Sequence, residues 1–195
     1  MTKLNLCVDI DGTITTPYYW LKDGNQYFNT NLKPEDVCEY EIHKVLNVSR
    51  EEYLRFYDLL GEEIHAKAKL RSRARRILCK LAEYHNIHYV TAREKKMTEV
   101  THWWIDKKKL PVDGIHILGS HYKVDKAKEL RCDIFIEDRY ENALEISKAG
   151  YKVLLIDCNY NRLPIPKEIV RVKDWDDIYN EIILYSDRKL KLDVA

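Results

Sequence analysis

Short apolar runs alternating with amphipathic stretches constrain this chain more than any other feature. The runs cover residues 4–8, 87–90, 114–118, 133–136 and 152–156, each partly β-branched and too short for a helix. Between the later runs lie helical patterns at residues 94–108, 124–130 and 140–149, with Gly150 where a helix C-cap belongs. Strand, helix, strand at this cadence predicts right-handed βαβ crossovers and an α/β fold with a parallel sheet covered on both faces. One gap breaks the rhythm. Residues 9–86 separate the first run from the second, far more than one crossover helix requires. Within that gap, residues 34–46 and 49–68 read as helices, the second opening on the capping box Ser49-Arg-Glu-Glu52. Residues 15–70 are therefore expected to form a helical insertion on the sheet, with residues 73–84 as the true crossover helix. The core domain would comprise residues 1–14 and 71–195, closed by a helix over residues 174–191.

Composition removes several classes. The 195 residues carry 33 Lys+Arg against 32 Asp+Glu, a net charge of +1, which excludes a generally basic, nucleic-acid-coating protein. At 45% hydrophobic and 33% charged, the chain is too apolar for disorder. No stretch approaches the ~18–20 apolar residues of a membrane span. The start meets Asp9 before an apolar run can build, so no secretory signal is expected. The five cysteines are odd in number and widely spread, with no C-x-x-C pair, against a disulfide scaffold or a structural zinc site. A reduced, cytoplasmic protein without membrane or nucleic-acid partners is expected.

The first strand runs directly into Asp9-Ile-Asp11-Gly12-Thr13. In open α/β sheets, ligands bind beyond the carboxyl ends of strands. Two carboxylates one residue apart repel each other; a divalent cation offsets that repulsion, and Gly12 lets the chain turn sharply. An EF-hand fails, because aligning Gly12 with the loop glycine makes Cys7 the first ligand.

Further polar residues follow at later strand ends: Thr91-Ala92-Arg93 after the second, Glu137-Asp138 after the fourth, with Lys123 and Lys126 opening the helix between. In this order the set resembles the haloacid dehalogenase (HAD) superfamily over roughly the whole chain, with the insertion where that family carries a type 1 cap. The phrases Phe135-Ile-Glu-Asp-Arg-Tyr-Glu-Asn-Ala143 and Tyr160-Asn-Arg162 are similar to the 5′(3′)-deoxyribonucleotidase-like branch and its bacterial relatives. The resemblance implies a Rossmann-like core, a sheet of about five strands in the order 3-2-1-4-5, and a small helical cap. It implies Asp9 as the nucleophile that becomes an aspartyl-phosphate and Asp11 as general acid and base. It also implies Mg²⁺ held by Asp9, the Asp11 backbone carbonyl and Asp138, and a phosphoryl group bound by Thr91, the Ala92 backbone and Lys123. Lys126 is the alternative lysine, Glu137 would tune the metal's surroundings, and Asn142 would either orient them or sit exposed. An acid at Asp11 favours a phosphatase or phosphomutase over a dehalogenase or an ion-pumping ATPase. The implied activity is Mg²⁺-dependent hydrolysis of (deoxy)nucleoside monophosphates. The alternatives are sugar phosphates, polynucleotide ends, or a non-catalytic binding protein.

Aromatics crowd the start of the insertion: Tyr18, Tyr19, Trp20, Tyr27 and Phe28. Tyr18 and Trp20 are candidates for stacking a nucleobase, and an apolar cap core explains the same residues. Tyr53, Phe56 and Tyr57 lie at helical spacing and read as core. Trp103 and Trp104 cannot both face one way on a helix, so at least one packs inward. The six basic residues of 67–76 would either steer a nucleotide or a nucleic-acid end towards the site or form, for the most part, the solvated flank of an apolar helical stripe. His102 and His121 read as incidental.

Overall fold

A computed structural model describes residues 2–193, with side chains to Leu190. Its elements run β1 (Asn5–Val8), α1 (Leu21–Phe28), α2 (Ile42–Val45), α3 (Arg50–Lys67), α4 (Ala74–Ala82), β2 (Asn86–Thr91), α5 (Thr98–Lys107), β3 (Gly114–Ile117), α6 (Val124–Glu129), β4 (Ile134–Glu137), α7 (Tyr140–Lys148), β5 (Lys152–Ile156), β6 (Ile169–Val172) and α8 (Trp175–Asp193). The six strands form one parallel sheet in the order β3-β2-β1-β4-β5-β6. The expected five strands and their order hold. The sixth, β6, extends the far edge beyond β5. It escaped the sequence reading because Pro164 and Pro166 and the charged Lys167-Glu168 precede a run of only four residues, one of them Arg171.

Strand alternation sorts the core. Leu6 and Val8 of β1, with Ile134 and Ile136 of β4 and Leu154 and Ile156 of β5, pack against α4, α5 and α8. Cys7, Phe135 and Val153 point to the opposite face, against α6 and α7. The crossover helix α4 forms because Ala74, Ile77, Leu78 and Leu81 recur on one face; all four are buried. Gly150, at φ +95°, ends the turn after α7 as expected, its N–H donating to Ser147 O at 2.9 Å.

The insertion between β1 and β2 has a separate apolar cluster of Trp20, Leu21, Val37, Leu46, Phe56 and Ile64. Its main helix, α3, begins where the capping box places it: Glu52 N–H donates to Ser49 Oγ, and Ser49 N–H donates back to the Glu52 carboxylate at 2.9 Å. The expected helix over residues 34–46 is instead a 3₁₀ turn at Pro34–Asp36 and the single turn α2, separated by irregular chain. Leu21–Phe28, read only as an aromatic segment, is helical. Trp104 is buried with its indole N–H donating to Ala68 O, and Trp103 is exposed.

Candidate active site

The loop after β1 gathers the site. Asp9 N–H still donates to Ile136 O in the ladder with β4, and the chain then turns. Gly12 sits at φ +82°, and a Cβ there would collide with the Asp138 carboxylate and the Tyr160 hydroxyl, so only glycine fits. Thr15 Oγ1 accepts the Gly12 N–H at 2.9 Å, Arg71 Nε donates to Gly12 O at 2.8 Å, and Trp175 Nε1 donates to Thr13 O at 3.2 Å. Arg71 lay within the basic stretch read as solvated flank. It is instead half-buried and braces the turn.

Asp9 is 5% exposed, and Lys123 Nζ donates to its Oδ1 at 2.5 Å and to Glu137 Oε2 at 2.8 Å. Lys123 stands at the position just before α6 and is itself buried. Lys126 pairs with Glu129 on the same helix instead. Asp138 accepts from Tyr160 at 2.5 Å and from Thr13 at 3.2 Å, and its backbone carbonyl accepts from Asn161 Nδ2 at 2.6 Å. Carboxylate oxygens of Asp9, Glu137 and Asp138 lie within 4.8 Å of one another.

Burial raises the Asp9 pKa well above the usual range against the pull of Lys123, and burial with the neighbouring Glu137 lifts Asp138 to about 7. Lys123 moves the other way: burial would lower its pKa, but Asp9 and Glu137 hold it above the ordinary lysine value. Three carboxylates facing one ammonium leave a formal charge of −2 when all are ionised. An all-oxygen donor set with that surplus fits a hard divalent cation.

Asp11 faces the other way. Arg93 grips it with Nε to Oδ2 at 2.8 Å and Nη2 to Oδ1 at 2.6 Å, while Nη1 donates to Thr101 Oγ1 at 3.0 Å. Burial alone would raise the Asp11 pKa; the Arg93 charge and hydrogen bonds overcome it and hold the carboxyl well below its usual range. Thr91 is buried at the tip of β2, its Oγ1 accepting the Arg93 N–H at 3.2 Å. Ala92, with Asp11, Gly12, Arg93 and Asp138, lines a cavity of about 300 Å³ between sheet and insertion.

The cavity's upper wall is aromatic. Tyr40, Tyr53, Tyr57, Tyr160 and His121 line it; of the group read as core, Tyr53, Phe56 and Tyr57 all line the cavity, Phe56 from within the apolar cluster and Tyr53 packed against it. His121 meets the Tyr40 ring edge-on at 5.6 Å, and burial with the nearby Arg139 and Lys123 charges pushes its pKa down to about 4. Trp20 lines the same cavity from the insertion's core. The Tyr18 hydroxyl instead accepts the Asn159 N–H at 3.0 Å. Asn142 is buried in the first turn of α7, and His102 is exposed.

Sequence reasoning gave no role to Arg93, Tyr19, His65, Tyr160 or Asn161. Arg93 had a signal, following the strand-end Thr91 directly, and Asn161 lay within the phrase Tyr160-Asn-Arg162; His65 had none, since its link to the site runs through Tyr19, 46 residues away.

A family model described as 5′ nucleotidase, deoxy (pyrimidine), cytosolic type C protein matches residues 3–189. A nucleotidase of Clostridium acetobutylicum is 49% identical over 179 residues, covering 92% of this chain and 93% of the relative. Among solved structures, the haloacid dehalogenase-like hydrolase SP0104 of Streptococcus pneumoniae superposes with a TM-score of 0.69 at 14% identity, over 94% of this chain and 98% of that one. The HAD hydrolase YfnB of Bacillus subtilis, in a magnesium-bound form, gives 0.63 at 13% identity over 94% and 100%. With the family match spanning nearly the whole chain and the same fold beneath it, this protein belongs to the cytosolic type C 5′-nucleotidase family of the HAD superfamily and is a phosphoric monoester hydrolase.

Proposed function

We propose that the chain is a Mg²⁺-dependent phosphatase of nucleoside monophosphates that transfers the phosphoryl group first to Asp9 and then to water. The observation that carries this reading is the buried cluster of Asp9, Glu137 and Asp138 beside a single lysine. A phosphate monoester dianion repels nucleophiles, and its transition state spreads charge over three equatorial oxygens, so the site must concentrate positive charge. Asp9, Asp138 and the Asp11 backbone carbonyl would hold Mg²⁺, which when bound neutralises phosphoryl charge. YfnB, of the same fold, binds magnesium.

Asp9 forms the new O–P bond as the ester O–P bond breaks, and Asp11 passes to the departing oxygen the proton that it takes from the monoanionic phosphate ester on binding. A water then attacks the aspartyl-phosphate, Asp11 takes that water's proton, and inorganic phosphate leaves. Thr91, the Ala92 N–H and Lys123 bind the phosphoryl oxygens. The leaving group occupies the cavity under residues 15–70, which act as a cap. Aromatic faces there suit a stacked base, worth about 1–3 kcal/mol.

The test is turnover with and without Mg²⁺ on nucleoside monophosphates, sugar phosphates and p-nitrophenyl phosphate. Mg²⁺-dependent hydrolysis that favours nucleotides is expected. Equal rates on nucleotides and sugar phosphates would overturn the substrate class, and no turnover of any ester would overturn the catalytic reading.

A further inference from the structure

Asp11 is held from two sides, and only one belongs to the sheet. Arg93 grips it from the end of β2. From the insertion, the Tyr19 hydroxyl donates to Asp11 Oδ1 at 2.8 Å. The Tyr19 oxygen lies 3.0 Å from His65 Nδ1, and His65 Nε2 lies 2.9 Å from the Tyr57 hydroxyl. The bond to Asp11 uses the single proton of the Tyr19 hydroxyl. Its oxygen must then accept from His65, which fixes the Nδ1–H tautomer and leaves Nε2 to accept from Tyr57. Every hydrogen bond in the series donates towards Asp11. His65 is 5% exposed and neutral, its pKa pushed to about 3 by burial and the Arg93 charge.

The consequence is an asymmetric carboxylate. Oδ1 takes two donors, Tyr19 and Arg93 Nη2; Oδ2 takes one, Arg93 Nε, and Asp11 lines the cavity. Resting on the reading of Asp11 as the acid for the leaving oxygen, we infer that Tyr19 and His65 are positioning residues that select Oδ2 for proton transfer. Because His65 and Tyr57 sit on α3, proton delivery then depends on α3 being seated over the sheet.

The experiment compares kcat/KM for a nucleoside monophosphate, whose alkoxide must be protonated as it leaves, with 2,4-dinitrophenyl phosphate, whose phenolate leaves unaided. Tyr19→Phe and His65→Leu should lose at least about tenfold more on the nucleotide than on the aryl ester. His65→Asn keeps an N–H where Nδ1–H stood and should recover to within about threefold of the parent enzyme. Equal losses on both esters, or none, would overturn the positioning role. Asp11→Asn in the same assay separates the two claims: selective loss there without it in Tyr19→Phe and His65→Leu sinks positioning alone. Unselective loss in Asp11→Asn sinks the acid assignment and the inference with it.

Discussion

Lys123 is the residue on which the site's electrostatics turn. It is buried between Asp9 and Glu137, and both pairs raise its pKa, so its charge is present throughout the neutral range and lost only at strongly alkaline pH. Lys123→Met leaves two buried carboxylates without their partner, and denaturant melts near neutral pH should show a loss of about 3–5 kcal/mol. Part of that loss should return as the pH falls, because Asp9 already protonates above the usual carboxylate range. Gly12→Ala tests the turn: its positive φ and the collision with Asp138 and Tyr160 should lower stability by about 1–3 kcal/mol in the same melts. At this scale the sequence was informative about which polar residues stand at strand ends. Asp9, Thr91 and Asp138 stand at such positions. Arg71 and Tyr160 do not; they reach the site from 59 and 22 residues away, across contacts no local pattern encodes.

Among the elements, α3 ties the insertion to the site through His65. The folded pKa of about 3 lies below the ordinary histidine value of about 6.5, so the unfolded chain binds a proton first as the pH falls. His65 therefore supports folding fully above that ordinary value and loses the contribution on acidification, at up to about 1.4 kcal/mol per pH unit between about pH 6 and pH 4. In His65→Asn, unfolding measured across that range should show a slope shallower by up to that amount. An unchanged slope would place the proton on His65 in the folded protein. Element legibility followed periodicity. α4 and α7 carry clear stripes, and Ser49 with Glu52 marks the start of α3. Residues 34–46 have scattered apolar positions but form only two short turns, because Val37 and Leu46 dock into the insertion's cluster from separate turns and a continuous helix gives way to that packing. β6 is short and sits at the sheet edge, where burial on both faces is not required of its sequence.

For the whole molecule, sheet and insertion meet through a seam of long-range polar contacts. Glu41 pairs with Arg139 at 3.4 Å, Asn159 Nδ2 donates to Pro34 O at 2.8 Å, and Asn159 N–H donates to Tyr18. That several helices separate the first two strands was readable from the length of chain between them; the seam was not, since each contact joins residues far apart. With Mg²⁺ and a phosphate mimic such as beryllofluoride, proteolytic cleavage within residues 15–70 should slow, and the thermal midpoint should rise with ligand concentration. Unchanged cleavage would contradict closure of these residues over the ligand. The most direct test is acid quenching during turnover of a nucleoside monophosphate labelled at phosphorus, followed by mapping of the protein-bound label. Label on Asp9, discharged by water and absent in Asp9→Asn, is the predicted result. Label on another residue, or turnover that survives Asp9→Asn, would contradict a phosphoryl group carried by the first strand's aspartate.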